Sequence, residues 1–175
     1  YFPVFGNEED KYLRNLVVPE KDIEAGSFFW TRKLSNNERY AFENAQDKKA
    51  LIPCTPLAII KILAEIKSYG NESRPLNGKI VTIFNRSEVI GRPLAVLMSN
   101  DGASVFSFDE HGPLLFRNGI PEETEYQRAD ALKLSDIVVT GVPDKDFKKI
   151  STEELKSEVI CINFSTNQNF DTNVE

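Results

Sequence analysis

One stretch of the sequence constrains the fold more than any other, because it joins a buried strand to the start of a helix. Residues 80–84 are apolar and largely β-branched, which is typical of a strand buried on both faces. A polar loop follows, and Gly91-Arg92-Pro93 then opens an amphipathic segment that runs to Met98. Free amides and the positive end of a helix dipole meet at such a loop, so the stretch predicts a phosphate site. Gly91 is the only glycine in the loop, and the alternative is an ordinary βαβ unit that binds no ligand.

Three further apolar runs predict strands of the same sheet. The run over residues 103–108 ends in Asp109, about 20 residues beyond the loop, where a dinucleotide-binding unit places the carboxylate that holds the adenine ribose. Residues 136–140 predict a buried parallel strand that ends in the turn Gly141-Val142-Pro143, and residues 159–164 predict a fourth strand. Strands and helices in this alternation indicate an α/β fold with a parallel sheet.

The remaining segments are less regular. The sequence predicts a buried strand end over residues 1–6, a helix over 8–16, an acidic loop over 20–26, a loop over 35–49, a helix over 57–69, a turn-rich insertion over 110–134 and a short helix over 153–156. For Asp22 and Glu24 in the acidic loop, the alternative to a functional role is a solvated turn, and we interpret His111 in the insertion as a surface residue. Because Tyr1 begins inside an apolar run and is not a methionine, we expect the chain to be a fragment.

Length and composition argue against several classes of function. At 175 residues the chain is one domain, or one domain with part of another. A net charge of −6 argues against a nucleic-acid binder, and no apolar run approaches the ~18 residues that span a membrane. Cys54, Cys161 and a single histidine cannot form a structural zinc site or a disulfide framework. We therefore expect no metal, a reducing compartment and a cytoplasmic protein, with Cys161 in the core of the last strand.

Cys54 lies beside the start of the predicted helix over residues 57–69. Thr55 is expected to cap this helix and Pro56 to occupy its first position, which places Cys54 just ahead of the N-terminus. The helix dipole favours a thiolate there. The alternative is a small buried residue that packs the helix entry.

Four short motifs, taken in order, resemble the methylenetetrahydrofolate dehydrogenase/cyclohydrolase family, and within it the monofunctional NAD-dependent members. Pro53-Cys54-Thr55-Pro56 is similar to the family's Pro-Cys-Thr-Pro, and residues 85–94 resemble its Gly-Arg-Ser-x-x-Val-Gly-x-Pro nucleotide loop. Residues 21–24 resemble its Lys-Asp-Val-Asp-Gly, and Tyr1-Phe2-Pro3 its Gln-Leu-Pro. The matching pieces run from Phe2 to about residue 164.

The resemblance implies two α/β domains that flank a cleft, with folate against the first and the dinucleotide on the second. Residues 1–56 would be the C-terminal part of the folate-binding domain, and residues 57–175 a Rossmann-like NAD-binding domain. The implied reaction oxidises 5,10-methylenetetrahydrofolate to 5,10-methenyltetrahydrofolate with NAD, in one-carbon metabolism and purine biosynthesis, within a homodimer. The family's Tyr-x-x-x-Lys catalytic segment does not occur in these 175 residues, so we expect this fragment alone to be inactive.

The resemblance also implies which residues form the site. Cys54 is the catalytic candidate, and the folate is assigned to Tyr1, Pro3 and Glu24. The residues assigned to NAD are Asn85, Arg86, Ser87, Gly91, Arg92, Asp109, Glu110, Gly141, Val142 and Pro143.

Departures from the family pattern predict which activities remain. Where bifunctional members have the glutamine that supports cyclohydrolase chemistry, this chain has Tyr1, and a phenol cannot replace an amide's paired donor and acceptor. Where they have Asp-Gly, it has Glu24-Ala25. We therefore predict a dehydrogenase without cyclohydrolase activity. The carboxylate of Asp109 accepts a hydrogen bond from a 2′-hydroxyl and repels a 2′-phosphate, which predicts NAD rather than NADP.

Two other functions are open on the sequence alone. The chain could be a non-catalytic NAD-binding fragment. It could also belong to another Rossmann dehydrogenase, such as one that acts on a hydroxy acid; His111 is poorly placed for the catalytic histidine of that class.

Overall fold

The apolar runs of the sequence form strands of one six-stranded sheet, as the computed structural model shows for residues 4–42 and 45–174. The strands of this sheet are β3 (Ile80–Phe84), β4 (Ser104–Asp109), β5 (Gly112–Arg117), β6 (Ile120–Glu123), β7 (Ile137–Thr140) and β8 (Ile160–Asn163). A separate antiparallel pair consists of β1 (Tyr40–Phe42) and β2 (Ala45–Lys49). The helices are α1 (Asn7–Leu16), α2 (Phe28–Ser35), α3 (Cys54–Glu65), α4 (Gly91–Asn100) and α5 (Arg128–Leu134).

The sheet is parallel at its centre and antiparallel at one edge. Its strand order is β6-β5-β4-β3-β7-β8, and β4, β3, β7 and β8 run parallel. In the shared register Ile83 pairs with Ser107 on one side and with Val139 on the other. The predicted α/β fold with a Rossmann-like parallel sheet is confirmed, and each of the four predicted strands agrees within about a residue.

Both faces of β3 are buried, which explains its uninterrupted apolar sequence. Val81 and Ile83 belong to the larger core, which lies between the sheet and helices α3 and α4. Phe84 points to the opposite face and packs in a second cluster with Leu132 of α5 and Phe170. The polar loop that joins β3 to α4 begins directly after the last residue of β3. It therefore lies at the carboxyl edge of the sheet.

Of two predicted helices, one is confirmed and the other has different bounds in the structure. The helix over residues 8–16 is confirmed as α1, whose first turn is acidic and whose last turn contains Arg14, matching the dipole. The predicted bounds of α3 are wrong: Pro53 is the N-cap, Cys54 is the first helical residue and Thr55 does not cap the helix. The helix also ends at Glu65, because Lys67 adopts a φ of +58° and leaves the right-handed conformation.

Regular structure occurs in both segments that were predicted to be irregular. The loop over 35–49 contains β1 and β2, and the insertion over 110–134 contains β5, β6 and α5. The turn signal at Asn118-Gly119 is real, since it joins β5 to β6 as a hairpin. The short helix over 153–156 is instead a single 3₁₀ turn over Thr152–Glu154.

Three smaller predictions concern the start of the chain, His111 and Cys161. Val4 and Phe5 are exposed in a bend, so the described part of residues 1–6 is not a buried strand. His111 is exposed, as predicted. Cys161 is half-buried against the α5-side cluster, and this burial raises the pKa of its thiol to about 11.

Candidate functional site

The candidate site lies at the carboxyl edge of the sheet, where the chain changes direction. From β3 the chain passes through α4 to β4 on one side, and it later returns to form β7 on the other side of β3. The loops after β3 and β7 therefore part at a topological switch point, the position at which doubly wound α/β sheets bind ligands. Asn85 links the two loops, because its Nδ2 donates to the Gly141 carbonyl oxygen at 2.8 Å.

The loop from Asn85 to Gly91 is folded tightly onto itself. Asn85 Oδ1 accepts the Ser87 amide at 3.0 Å, and Ser87 Oγ accepts the amides of Ile90 and Gly91 at 3.2 and 3.4 Å. A Cβ on Gly91 would lie 1.9 Å from the Asn85 carbonyl oxygen, so only glycine fits there. Gly91 thus permits the contact between the helix start and the loop, which brings several backbone amides to one place.

Arg86 is the most enclosed charge of this loop. Its side chain is 6% exposed, Nη1 lies 2.9 Å from Asp109 Oδ1, and Nε donates to Ser107 Oγ at 3.2 Å. Nη2 donates to the carbonyl oxygens of Ser107 and Gly112. Burial lowers the pKa of the guanidinium, and the Asp109 carboxylate opposes that shift. Three hydrogen bonds and the ion pair with Asp109 therefore hold the guanidinium, so Arg86 ties the loop to the end of β4.

Asp109 is where the sequence predicted a ribose-binding carboxylate, at the end of β4. Its Oδ1 accepts both Arg86 and the His111 amide, the latter at 2.9 Å. Within the described part of the chain no hydrogen bond to Oδ2 occurs, which leaves an acceptor that suits a ribose hydroxyl. The neighbouring Glu110 side chain is 81% exposed and lies 3.7 Å from His111 Nε2.

The turn Gly141-Val142-Pro143 follows β7 across the switch point. Glycine is required at its first position because the ring of Phe164 occupies the space of a Cβ, with a ring carbon 1.9 Å from the ideal Cβ position. The missing side chain therefore admits a ring of the protein itself. Asn169 bonds the Val142 main chain, and nothing in its sequence context had indicated a role at this turn.

A cleft of about 320 Å³ is lined by Arg14 of α1, by the acidic loop at residues 24–26, by residues 53–55 at the start of α3 and by residues 88–90 of the nucleotide loop. The structure brings two predicted residues together in it, since Glu24 and Cys54 both line the cleft opposite the segment 88–90. Cys54 is exposed, and its Sγ lies 4.0 Å from the Ile23 carbonyl oxygen. The alternative of a buried packing residue is therefore wrong for Cys54.

Charged contacts hold the two walls of this cleft together. Glu88 lies 3.5 Å from both Lys11 Nζ and Arg14 Nη2 of α1. Asp22 shapes the wall that contains Glu24, because its carboxylate accepts the amides of Gly26 and Ser27 at 3.2 and 2.8 Å. Asp22 is buried, so the alternative of a solvated turn is wrong for this residue. Its position four and five residues before those amides is the sequence signal that could have indicated these hydrogen bonds.

The other predicted residues are distributed as follows. Arg92 is exposed and lines a smaller cleft beside α2, next to Glu88. Tyr1 and Pro3 lie outside the described residues, so their assignment to the folate stays a prediction. Over residues 4–42 and 45–174 there is no group of three or more His, Cys, Asp or Glu side chains arranged to hold a metal ion. No helix in those ranges has both the length and the hydropathy to cross a bilayer.

Comparison with known proteins adds independent findings. The family Tetrahydrofolate dehydrogenase/cyclohydrolase, NAD(P)-binding domain, matches residues 53–174. The chain is 41% identical over 191 aligned positions to a methylenetetrahydrofolate dehydrogenase [NAD(+)] of Saccharomyces cerevisiae, covering 100% of this chain and 59% of the relative. It is 38% identical to the protein of the same name from Schizosaccharomyces pombe, covering 98% of this chain and 56% of the relative. The chain therefore spans less than two thirds of these relatives.

A solved structure agrees with these relationships. The NAD-dependent 5,10-methylenetetrahydrofolate dehydrogenase from Saccharomyces cerevisiae superposes with a TM-score of 0.85 and 40% sequence identity, covering 98% of this chain and 58% of that one. The similarity extends through α1, α2 and the cleft as well as the sheet, because it covers nearly the whole chain.

Proposed function

Because the chain belongs to the tetrahydrofolate dehydrogenase/cyclohydrolase family, we propose that it forms the cofactor domain and one cleft wall of an enzyme that oxidises 5,10-methylenetetrahydrofolate to 5,10-methenyltetrahydrofolate with NAD. One observation carries the proposal: Glu24, Cys54 and residues 88–90 of the nucleotide loop line a single cleft. A substrate held at Glu24 would thus lie beside a cofactor held at the switch point.

The residues at the carboxyl edge of the sheet fit a dinucleotide. Bound NAD would supply the hydride acceptor of the reaction. The Asp109 carboxylate would accept a ribose hydroxyl through Oδ2, and the positive end of the α4 dipole would face the phosphates. The turn Gly141-Val142-Pro143 would border the nicotinamide side. These groups bind and orient, and catalysis would depend on holding the two reacting rings together.

The choice of NAD over NADP is supported by the pair formed by Arg86 and Asp109. A 2′-phosphate needs positive charge nearby, whereas here the guanidinium is already paired and almost fully enclosed. The same phosphate would meet the Asp109 carboxylate, and Glu110 adds a second negative charge. A 2′-hydroxyl meets no such repulsion.

On the folate side, we assign the pterin ring to Glu24 and the reacting carbon to the surroundings of Cys54. A carboxylate accepts hydrogen bonds from the amino and amide hydrogens of a pterin, and Glu24 is exposed within the cleft. The exposed thiol of Cys54 lies at the start of α3, on the same cleft wall. Its position makes it the catalytic candidate of this chain.

Absence of cyclohydrolase activity is also part of the proposal. Its support is the sequence, with Tyr1 in place of a glutamine and Glu24-Ala25 in place of Asp-Gly. The backbone at Ala25 has a φ of +54°, a left-handed conformation that glycine adopts readily. The loop therefore keeps a glycine-like path although the residue has changed, and the difference from bifunctional members lies in the side chains.

The proposal also includes three wider features. Free cysteines suit a reducing compartment and hence the cytoplasm. A homodimer and a place in purine biosynthesis rest on the family resemblance.

The experiment is an activity assay on the complete gene product that contains these 175 residues. Reduction of NAD or NADP is followed with 5,10-methylenetetrahydrofolate, and hydrolysis of methenyltetrahydrofolate is followed separately. We expect oxidation with NAD, much slower oxidation with NADP and no enzymatic hydrolysis. Measurable NAD binding without oxidation of the folate would instead favour a non-catalytic nucleotide-binding protein.

A further inference from the structure

The turn Gly141-Val142-Pro143 is held by side chains where a regular element would use its own backbone. Asn169 Nδ2 donates to the Val142 carbonyl oxygen at 3.0 Å, and Asn169 Oδ1 accepts the Val142 amide at 3.0 Å. One carboxamide thus supplies a donor and an acceptor to the same residue, as a neighbouring strand would. Asn169 is 1% exposed, so water does not compete for these two bonds.

The backbone around Asn169 is itself fixed. The Ile150 amide donates to the Asn169 carbonyl oxygen and the Asp171 amide donates to the Ile150 carbonyl oxygen, both at 2.9 Å. Phe170 is buried with Ile150 in the α5-side core. The carboxamide is therefore presented from a rigid support, and its position is set before any ligand arrives.

The other polar groups of the turn are also bonded. Ser165 Oγ donates to the Val142 carbonyl oxygen at 2.8 Å, and Asn167 Nδ2 donates to the Pro143 carbonyl oxygen. The Gly141 amide donates to the Phe84 carbonyl oxygen at 3.0 Å, while the Gly141 carbonyl oxygen accepts Asn85. Pro143 has no amide hydrogen. All the main-chain donors and acceptors of the turn are consequently engaged, although the exposed edge of the turn could have used water.

We infer that Asn169 is a positioning residue, assisted by Ser165, which fixes this turn in the geometry that receives the nicotinamide half of the cofactor. The inference rests on the proposed function. The turn and Asp109 lie on opposite sides of the switch point, and a dinucleotide bound there places one half on each side. Among the described residues, the side chain of Asn169 hydrogen-bonds to Val142, on the β7 side. Its loss should therefore disturb the nicotinamide half and leave the adenosine half in place.

The test compares two ligands in the Asn169→Ala variant of the complete gene product. NADH contains both halves, whereas AMP contains only the adenosine half. Because the variant leaves the partly buried Val142 amide without its acceptor, we expect the Kd for NADH to rise about tenfold and the Kd for AMP to change less than about twofold. The KM for NAD should rise more than kcat falls, since the turn binds and does not react.

Asn100→Ala is the matched control. It also removes an asparagine side chain that bonds a backbone carbonyl, that of Leu34 at 3.0 Å, but at the opposite end of α4. Both Kd values should match those of the unaltered protein.

Ser165→Ala keeps the inference testable if Asn169→Ala fails to fold. It removes one of the two donors to Val142, so the Kd for NADH should rise about threefold and the Kd for AMP should not change. An unchanged Kd for NADH in both variants, or an equal loss of NADH and AMP binding, overturns the positioning role. Failure of the unaltered protein to bind NADH overturns the proposed function, and with it this inference.

Discussion

Replacing Asp109 by serine should change the cofactor preference of the enzyme. In the native protein the carboxylate pairs with Arg86 at 2.9 Å and leaves Oδ2 for a ribose hydroxyl. Serine removes the negative charge and shortens the side chain. Arg86 keeps its bonds to Ser107 and Gly112, so the loop should remain folded while the guanidinium loses its counter-charge.

The magnitude follows from two terms. A hydrogen bond from a ribose hydroxyl to a charged acceptor contributes about 1.5–3 kcal/mol to NAD binding. Two unit charges about 5 Å apart repel by about 3 kcal/mol at an effective dielectric constant near 20, so loss of the carboxylate relieves NADP. Solvent screening reduces the second term, because Asp109 is 16% exposed. We expect the ratio of kcat/KM for NAD over NADP to fall by between about 10-fold and 1,000-fold.

The assay measures initial rates with each cofactor at saturating 5,10-methylenetetrahydrofolate. Glu110→Ser is the matched comparison, because it removes the same charge from the next residue. The Glu110 side chain is 81% exposed. The effect of Glu110→Ser on the ratio should be several-fold smaller. Thermal unfolding of both variants separates a change in preference from loss of the fold. If Asp109→Ser leaves the ratio unchanged in a folded protein, the assignment of Asp109 to the ribose is wrong.

Three further predictions concern the loop, the cleft and the amino edge of the sheet. Gly91→Ala should lower stability by at least about 3 kcal/mol in chemical denaturation, because its Cβ would lie 1.9 Å from the Asn85 carbonyl oxygen; a near-native midpoint would refute this fit. Cys54→Ala should reduce kcat at least about tenfold without shifting Tm by more than a few degrees, and an unaffected kcat would remove Cys54 from the chemistry. Burial raises the pKa of Asp136, but hydrogen bonds from the Ile80 amide and Lys156 outweigh this effect and lower the pKa below its ordinary value of 3.8. The ionised Asp136 carboxylate therefore stabilises the fold fully at neutral pH, and this stabilisation is lost as pH falls through the native pKa. Asp136→Asn should lower the free energy of unfolding by up to about 1 kcal/mol at pH 7 and leave it unchanged near pH 2. A difference in stability that does not vary with pH would contradict this link between the pKa and the fold.

The central strands could be predicted because burial on both faces dictates their composition. Residues 80–84 and 137–140 are nearly all apolar and mostly β-branched, and no other element of that length fits them. The edge hairpin was missed for the opposite reason. Residues 120–123 read Ile-Pro-Glu-Glu, and all four are exposed, so the strand has no apolar face to show in the sequence. The sequence of β2, Ala-Gln-Asp-Lys-Lys, also lacks an apolar face, and its residues Asp47, Lys48 and Lys49 are exposed.

The candidate site divides in the same way. The start of α4, Asp109 and the Gly141-Val142-Pro143 turn follow from spacing, because parallel strands end at one edge of the sheet. The side chains that fix those positions do not follow from spacing. Asn169 lies 27 residues beyond the amide that it accepts, and an asparagine in a polar segment ordinarily indicates a turn. Arg86 was assigned to NAD by the family resemblance alone, and only the folded chain shows that the end of β4 encloses it.

In the proposed reaction, hydride passes from the folate to NAD on the complete gene product. The most direct measurement uses the complete gene product with 5,10-methylenetetrahydrofolate deuterated at the methylene carbon, and follows the label by mass spectrometry of the reduced cofactor. The account predicts one deuterium on each NADH formed, in step with one methenyltetrahydrofolate. Reduced cofactor without deuterium, or no reduction of NAD in a protein that binds it, would contradict the account.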